Sequence, residues 1–258
     1  MFFPLYDDNP TRRWPVITIL LIVFNVVVHL FVSQMSDLEQ GRFYAEWGFV
    51  PKKIEQLSDP NLVVTVPIDL EGDEEIAFPA DPERIIASVF TTMFLHADWI
   101  HLALNMWMLW IYGNNIEDRL GHIFFILFYL AVGMLATSCH WATHPDSVIP
   151  VVGASGAIAG VLGAYAITFP KAKVKTIVFL GYIIFPANVP ALIVLGFWFI
   201  IEFIQFQFHV IDPNVAGVAF AAHVGGFLAG LFLMPLMAMG APEPGTHWED
   251  EIDEAFGQ

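Results

Sequence analysis

Apolar runs of roughly 20 residues recur along this chain, each long enough to cross a hydrocarbon core of about 30 Å as a helix. Hydrophobic residues make up 57% of the 258 and charged residues only 14%, where a soluble domain carries about a quarter. The class expected is an all-α polytopic membrane protein, folded as a single bundle. The net charge of −16 argues against a nucleic-acid partner, which wants a basic face. One cysteine, Cys139, leaves no internal disulfide framework.

The first run, Trp14 to about Ser33, is longer than the apolar core of a signal peptide and has no small-residue cleavage site after it. It reads as a span. Residues 34–88 are hydrophilic and acidic, with a β-like stretch at Asn61–Ile68, and are expected to form a long, solvated extracytoplasmic loop. Ile85–Leu95 reads as re-entrant or interfacial. A second span starts near Asp98 and ends before Gly113-Asn114-Asn115, with Glu117-Asp118-Arg119 as a short loop. Ile123–Ser138 and Gly153–Phe169 follow as spans three and four, joined by a polar turn. Thr176–Gln207 is too long for one span; Pro186 and Pro190 divide it into an interfacial helix and a fifth span from about Ala191 to Phe206. Val215 to Met239 is the sixth.

Six spans place both termini on one side. Arg12, Arg13, Arg119, Lys171, Lys173 and Lys175 all fall in segments on that side, so the excess of positive charge puts the termini in the cytoplasm. The division expected is a cytoplasmic segment 1–13, a membrane domain 14–240 and an acidic cytoplasmic tail 241–258, in a cell (plasma or inner) membrane.

Polar side chains inside spans are costly, and each one needs a reason. Ser155 sits in Val151-Val152-Gly153-Ala154-Ser155-Gly156-Ala157-Ile158-Ala159-Gly160, at the start of the fourth span. A serine there serves either as one more small residue that lets helices touch or as a nucleophile at a helix N-terminus. His223, early in the sixth span, is either a helix–helix hydrogen-bonding group or the base such a nucleophile needs. Gly156 and Gly160 share the small-xxx-small spacing with Gly226 and Gly230, which permits close backbone approach. Close approach is what a direct Ser155–His223 hydrogen bond requires. No carboxylate lies in either of those two spans, so the arrangement expected is a dyad.

His101 and Asn105, four apart, share a face of the second span, as Asn25 and His29 do in the first. His101, Asn105 and the N–H groups opening the fourth span could converge on a developing oxyanion. His96 needs the preceding loop to bring it near His101. His140 and His144 could share a metal only if their turn were helical, and no metal or cofactor is expected. Glu202, near the outer end of the fifth span, is expected to snorkel to water. Ala157 stands where the last glycine of a G-x-S-x-G elbow belongs, which sets the α/β-hydrolases aside.

Gly153-Ala154-Ser155-Gly156, Ala222-His223-x-x-Gly226 and His101-x-x-x-Asn105 fall in the fourth, sixth and second spans, and Thr92-Met93-Phe94-Leu95-His96 precedes the last of these. With the opening Asp7-Asp8-Asn9-Pro10-Thr11, these motifs resemble the rhomboid family of intramembrane serine proteases, over about Asp7 to Gly230. The resemblance implies a six-transmembrane-helix bundle with Ser155 as nucleophile, His223 as general base, and His101 and Asn105 on the oxyanion side. It implies transmembrane protein substrates cleaved near the outer face of the lipid bilayer, with the fifth span and the loop before the sixth as the mobile elements. Two positions depart from the family pattern. Ala87-Ser88 stand where a Trp-Arg pair is common, which bears on loop anchoring. Ala159 stands where an aromatic often stacks on the base, which bears on the rigidity of His223. The alternative within the same fold is a silent protein that binds client helices. A transporter would require midplane charges and repeat symmetry, and the chain has neither.

Overall fold

The computed structural model describes residues 2–69, 74–211 and 219–241, and most of the apolar runs form helices close to where their hydropathy places them. The chain opens on strand β1 (Phe2–Asp7) and passes into helix α1 (Val16–Val32). Helix α2 (Asp37–Trp47), a 3-10 segment Pro51–Leu57, the hairpin β2 (Val64–Pro67) and β3 (Glu75–Phe78), and helix α3 (Pro82–Thr91) follow. Then come α4 (Trp99–Leu120), α5 (His122–Thr143), α6 (Ser155–Thr168), the hairpin β4 (Lys173–Leu180) and β5 (Ile183–Pro190), α7 (Ala191–Ile211) and α8 (Phe220–Gly240). The acidic tail from residue 242, the chain between α7 and α8 at 212–218, and with it the start of the sixth run lie outside the described residues.

The chain is mostly helical. Among the described residues, α5 and α8 are each long and apolar enough to cross a membrane, and Pro82–Phe94 with Trp99–Leu120, bent by 78°, make a third span or a re-entrant pair. Val16–Val32, Ser155–Thr168 and Ala191–Gln207 are shorter apolar helices. At 1.5 Å per residue, the 14-residue α6 is about 21 Å long. Ser155, its first residue, therefore begins the helix at some depth if the other end reaches the surface.

The core is centred on α6, which packs most extensively against α8. The cause is the glycine spacing read in the sequence. A Cβ on Gly226 would meet the Gly156 carbonyl, one on Gly230 the Gly160 carbonyl, and one on Gly163 the Phe227 carbonyl. Backbones touch there, so dispersion contacts run along the whole seam with no side chain to hold the helices apart. Asn25 and His29 are buried as expected, at 0% and 4% exposed. The Asn25 amide donates to the Leu21 carbonyl, while His29 Nδ1 lies 3.1 Å from the His96 carbonyl.

Three expectations need correction. The chain is not all-α: β4 and β5 replace the interfacial helix expected before α7, and β1 completes an antiparallel sheet in the order β1-β4-β5. Val174, Thr176, Ile177 and Val178 are β-branched, and Gly181 supplies the φ of +60° that the tight turn needs. The prolines fit because Pro186 and Pro190 lie on one edge strand and Pro4 on the other.

The second correction concerns α4, which does not stop before Gly113 but runs seven residues past it, to Leu120. Its polar end is helical because the N-terminal segment meets its side chains. Glu117 takes the N–H groups of Ile17 (2.8 Å) and Thr18 (2.7 Å) and the Thr18 hydroxyl, capping α1 from across the chain. Asp118 takes the N–H groups of Arg12 and Arg13, and the Asn115 amide donates to Asp7.

The third correction concerns residues 34–88, which are folded rather than a plain solvated loop. Ala45, Val50, Val64 and Val66 form a small apolar core of their own. A Ser36–Glu39 capping box starts α2, and Asp81 caps α3. Lys53 is buried beside them, its ammonium donating to the Ala45 carbonyl and lying over the Phe78 ring.

Candidate active site

The segment before α6 is held from both sides. Val151 and Phe49 exchange two backbone hydrogen bonds (2.8 and 3.1 Å), and the Thr92 hydroxyl donates to the Val151 carbonyl. Gly153 donates to the Thr92 carbonyl with φ at +141°, a conformation that asks for glycine. The chain then turns into α6 at Ala154, whose side chain cannot cap the helix. The first N–H groups of α6, beginning at Ser155, are thus left without a side-chain acceptor at the positive end of the helix dipole.

From α8, His223 reaches across the glycine seam, and its Nε2 lies 2.7 Å from Ser155 Oγ. This is the distance over which a base takes a hydroxyl proton. The expected dyad contact is present. Its third neighbour was not expected: Glu202 Oε2 on α7 lies 2.7 Å from His223 Nδ1. Its side chain is only 14% exposed, against 12% for His223. The snorkelling expected of Glu202 is therefore corrected; the carboxylate turns inward to the histidine. With the Ser155 hydroxyl donating to Nε2, the ring proton is on Nδ1 and is donated to Glu202.

Trp198, one turn before Glu202 on the same face of α7, packs beside the ring, with centroids 6.1 Å apart and planes at 36°. Phe220 meets the ring edge-on at 6.4 Å. Ala159 offers no ring beneath His223, and α7 supplies the aromatic instead. The other departure has a similar outcome. A Trp and an Arg do pair in the first loop, with the Arg84 guanidinium 4.6 Å above the Trp47 ring, although neither stands at position 87 or 88.

α4 brings the remaining candidates. Asp98 caps it by accepting the N–H groups of Ile100 and His101, both at 2.8 Å, which puts His101 in the first turn. A Cβ on Gly153 would lie 3.0 Å from His101 Nε2 and 3.4 Å from Ser155 Oγ. The bare glycine keeps a space of about one atom between imidazole and hydroxyl. Asn105 follows one turn later, 7% exposed, and its Nδ2 is buried with no hydrogen-bond partner among the described residues. His96 is brought up by the bend between α3 and α4, its ring 5.2 Å from that of His101. Its carbonyl accepts the Tyr44 hydroxyl at 2.7 Å. His140 is helical and stacks on His144 at 5.1 Å, but no third metal-binding side chain joins them among the described residues.

Sequence reasoning missed Glu202. The available signal was the i, i+4 spacing of Trp198 and Glu202, which puts both on one face of a helix that packs on α8.

A family model described as "Rhomboid domain" matches residues 84–240. The chain is 33% identical over 158 residues to "Presenilin-associated rhomboid-like protein A, mitochondrial" of Danio rerio, covering 60% of this chain and 38% of that one. It is 31% identical over 179 residues to "Rhomboid protease GluP" of Bacillus subtilis, covering 66% of this chain and 30% of the other. It is 30% identical over 253 residues to "RHOMBOID-like protein 6, mitochondrial" of Arabidopsis thaliana, covering 94% of this chain and 74% of the other. The matched region is thus well under half the length of the first two relatives. Two of the three names carry a mitochondrial location, so the expectation of a plasma membrane finds no support among these relatives.

Proposed function

This chain belongs to the rhomboid family, and from that premise we propose that it is a membrane serine endopeptidase that cleaves transmembrane segments of other proteins. The observation that carries the reading is the 2.7 Å approach of Ser155 Oγ to His223 Nε2. Two polar side chains from distant parts of an apolar core meet there at the spacing acyl transfer needs.

The chemistry follows from that geometry. Ser155 Oγ bonds to the scissile carbonyl carbon as its proton passes to His223 Nε2, and the carbonyl π pair moves onto oxygen. His101, Asn105 and the Ser155 N–H stabilise that oxygen, in the space Gly153 leaves open. One such donor is worth about 10²–10³ in rate. Collapse of the intermediate breaks the C–N bond, and the leaving amine takes the proton from His223. Water then attacks the acyl-enzyme with His223 again as base, and Ser155 recovers its proton.

Six membrane crossings, formed by α1, α4, α5, α6, α7 and α8, fit this reading, with α6 short enough to set Ser155 below the surface. The termini lie on the side of Arg12, Arg13, Arg119 and the Lys171–Lys175 loop, and the site opens to the other side. Substrate helices reach it past α7, whose outer face exposes Leu192, Ile193, Phe197, Ile200, Phe203 and Ile204.

Ser155→Ala is expected to lower cleavage of a reporter transmembrane protein by about 10⁴-fold or more, while the variant inserts and purifies normally. A fluorophosphonate probe is expected to label the wild-type chain and leave the variant unlabelled. Equal cleavage by the variant would sink the proposal; an unlabelled, inactive wild-type chain would point to a silent client-binding protein.

A further inference from the structure

α7 carries sixteen aromatic or aliphatic residues and one charged one, and that carboxylate is not at an end but on the face turned toward α8. A carboxylate in such a helix is costly unless it is paired. Among the described residues, the hydrogen bond and ion pair of Glu202 are both with His223. The contact is at the nitrogen that faces away from Ser155, so it leaves the reacting nitrogen free.

We propose that Glu202 is a positioning residue for the base, so that Ser155, His223 and Glu202 act as a triad rather than a dyad. The inference rests on the serine-protease reading of this site and adds a residue to it. Three observations support it. The carboxylate accepts at Nδ1, which fixes the tautomer in which Nε2 is unprotonated and able to take the hydroxyl proton. Trp198 and Glu202 lie i, i+4 on α7 and approach the same ring, the indole tilted at 36° with centroids 6.1 Å apart and the carboxylate at Nδ1. The third is Ala159, which leaves His223 without an aromatic support from α6, so orientation has to come from another element.

Two polar side chains from neighbouring helices contact His223, Ser155 from α6 and Glu202 from α7. Of these only Glu202 carries a full negative charge. During proton transfer the imidazole becomes an imidazolium, and a carboxylate at 2.7 Å stabilises that charge more than it stabilises the neutral ring. Its contribution is therefore larger in the transition state than in the ground state, and it is expected in the chemical step rather than in binding. Because α7 also borders the path for substrate, the triad is complete only while α7 lies against α8.

The test uses fluorophosphonate labelling of the full chain in detergent, comparing wild type, Glu202→Gln, Glu202→Ala and Ser155→Ala. Glu202→Gln is expected to lower the maximal labelling rate by about 10- to 10³-fold, with half-saturating probe concentration and thermal stability unchanged. Glu202→Ala is expected to lose at least as much. The ¹⁵N NMR spectrum of histidine-labelled protein is expected to show a protonated Nδ1 on His223 in the wild type and a tautomer mixture in Glu202→Ala. A role confined to packing would leave the tautomer where it is. Wild-type maximal rates in both Glu202 variants, or a His223 Nδ1 that stays fully protonated without the carboxylate, overturn the triad. Those results leave the protease reading standing, because the wild type still labels and Ser155→Ala does not. A wild-type chain that takes up no probe overturns both.

Discussion

Among the described residues, Glu117 and Glu202 each hold the Nδ1 of a histidine, and they are put to different uses. Glu117 lies 2.6 Å from His122 and is fully buried, whereas the His122 ring is 42% exposed. Its two oxygens also accept the N–H groups of Ile17 and Thr18 in the first turn of α1 and the Thr18 hydroxyl. Glu202 lies 2.7 Å from His223, and its described bonds end there. The first carboxylate is saturated by backbone donors and ends in a histidine open to solvent. The second spends its contact on an enclosed histidine whose other nitrogen faces a hydroxyl. The same Glu–His pair serves as a clamp where every lone pair is occupied and orients a base where reactive groups are left unpaired. The unpaired N–H groups at the start of α6 and the orphan Asn105 amide belong to the same end of the bundle as Glu202.

The two ends therefore respond to mutation in opposite ways. Glu117→Ala leaves three buried donors unmet and is expected to cost about 4 kcal/mol of stability, read as a lower melting temperature in detergent. The labelling rate of the molecules that remain folded is expected to stay at the wild-type value. A stable Glu117→Ala protein would break the comparison at its structural end. Asn105→Ala is the complementary case. It removes one proposed oxyanion donor and an amide that has no partner to lose, so cleavage is expected to fall about 10²-fold with no loss of melting temperature. Wild-type cleavage by Asn105→Ala would remove that residue from the oxyanion side.

The parts of this architecture legible in the sequence are those coded by local spacing. The glycines at 156, 160, 226 and 230 point to a backbone-to-backbone seam, and that seam forms. His101 and Asn105 share a face of one helix because they are four apart. The parts that were not legible depend on partners far along the chain. Asn115 and Glu117 look like loop residues until Asp7 and Thr18, about 100 positions away, take their side chains. The stretch from Thr176 to Pro186 reads as interfacial helix because β1, the strand partner of β4, lies some 170 residues earlier, and half-buried apolar strands lack clean alternation. Glu202 was placed by its depth in the membrane, but what decides its role is the face of α7 on which it stands.

Asp7 supplies the mildest test, since it shares features of both ends. It is half-buried and, like Glu117, is met by donors from distant parts of the chain, receiving the Tyr165 hydroxyl and the Asn115 amide. Unlike Glu117, it has no helix N-terminus to neutralise it. Burial outweighs those two donors and lifts its carboxyl from the usual 3.8 to about 6. A carboxyl raised in the folded state binds its proton more tightly there than in the unfolded chain. Its contribution to stability is therefore whole below about pH 4 and is lost as pH rises through about 6. The wild-type melting temperature is expected to fall across that interval relative to Asp7→Asn, by the equivalent of roughly 1–2 kcal/mol. Asp7→Asn keeps an oxygen to accept the Tyr165 hydroxyl but has nothing to titrate, so its own curve lacks that decline. Parallel curves for the two proteins would show that Asp7 is held as an ordinary carboxylate, with its charge met as fully as that of Glu117.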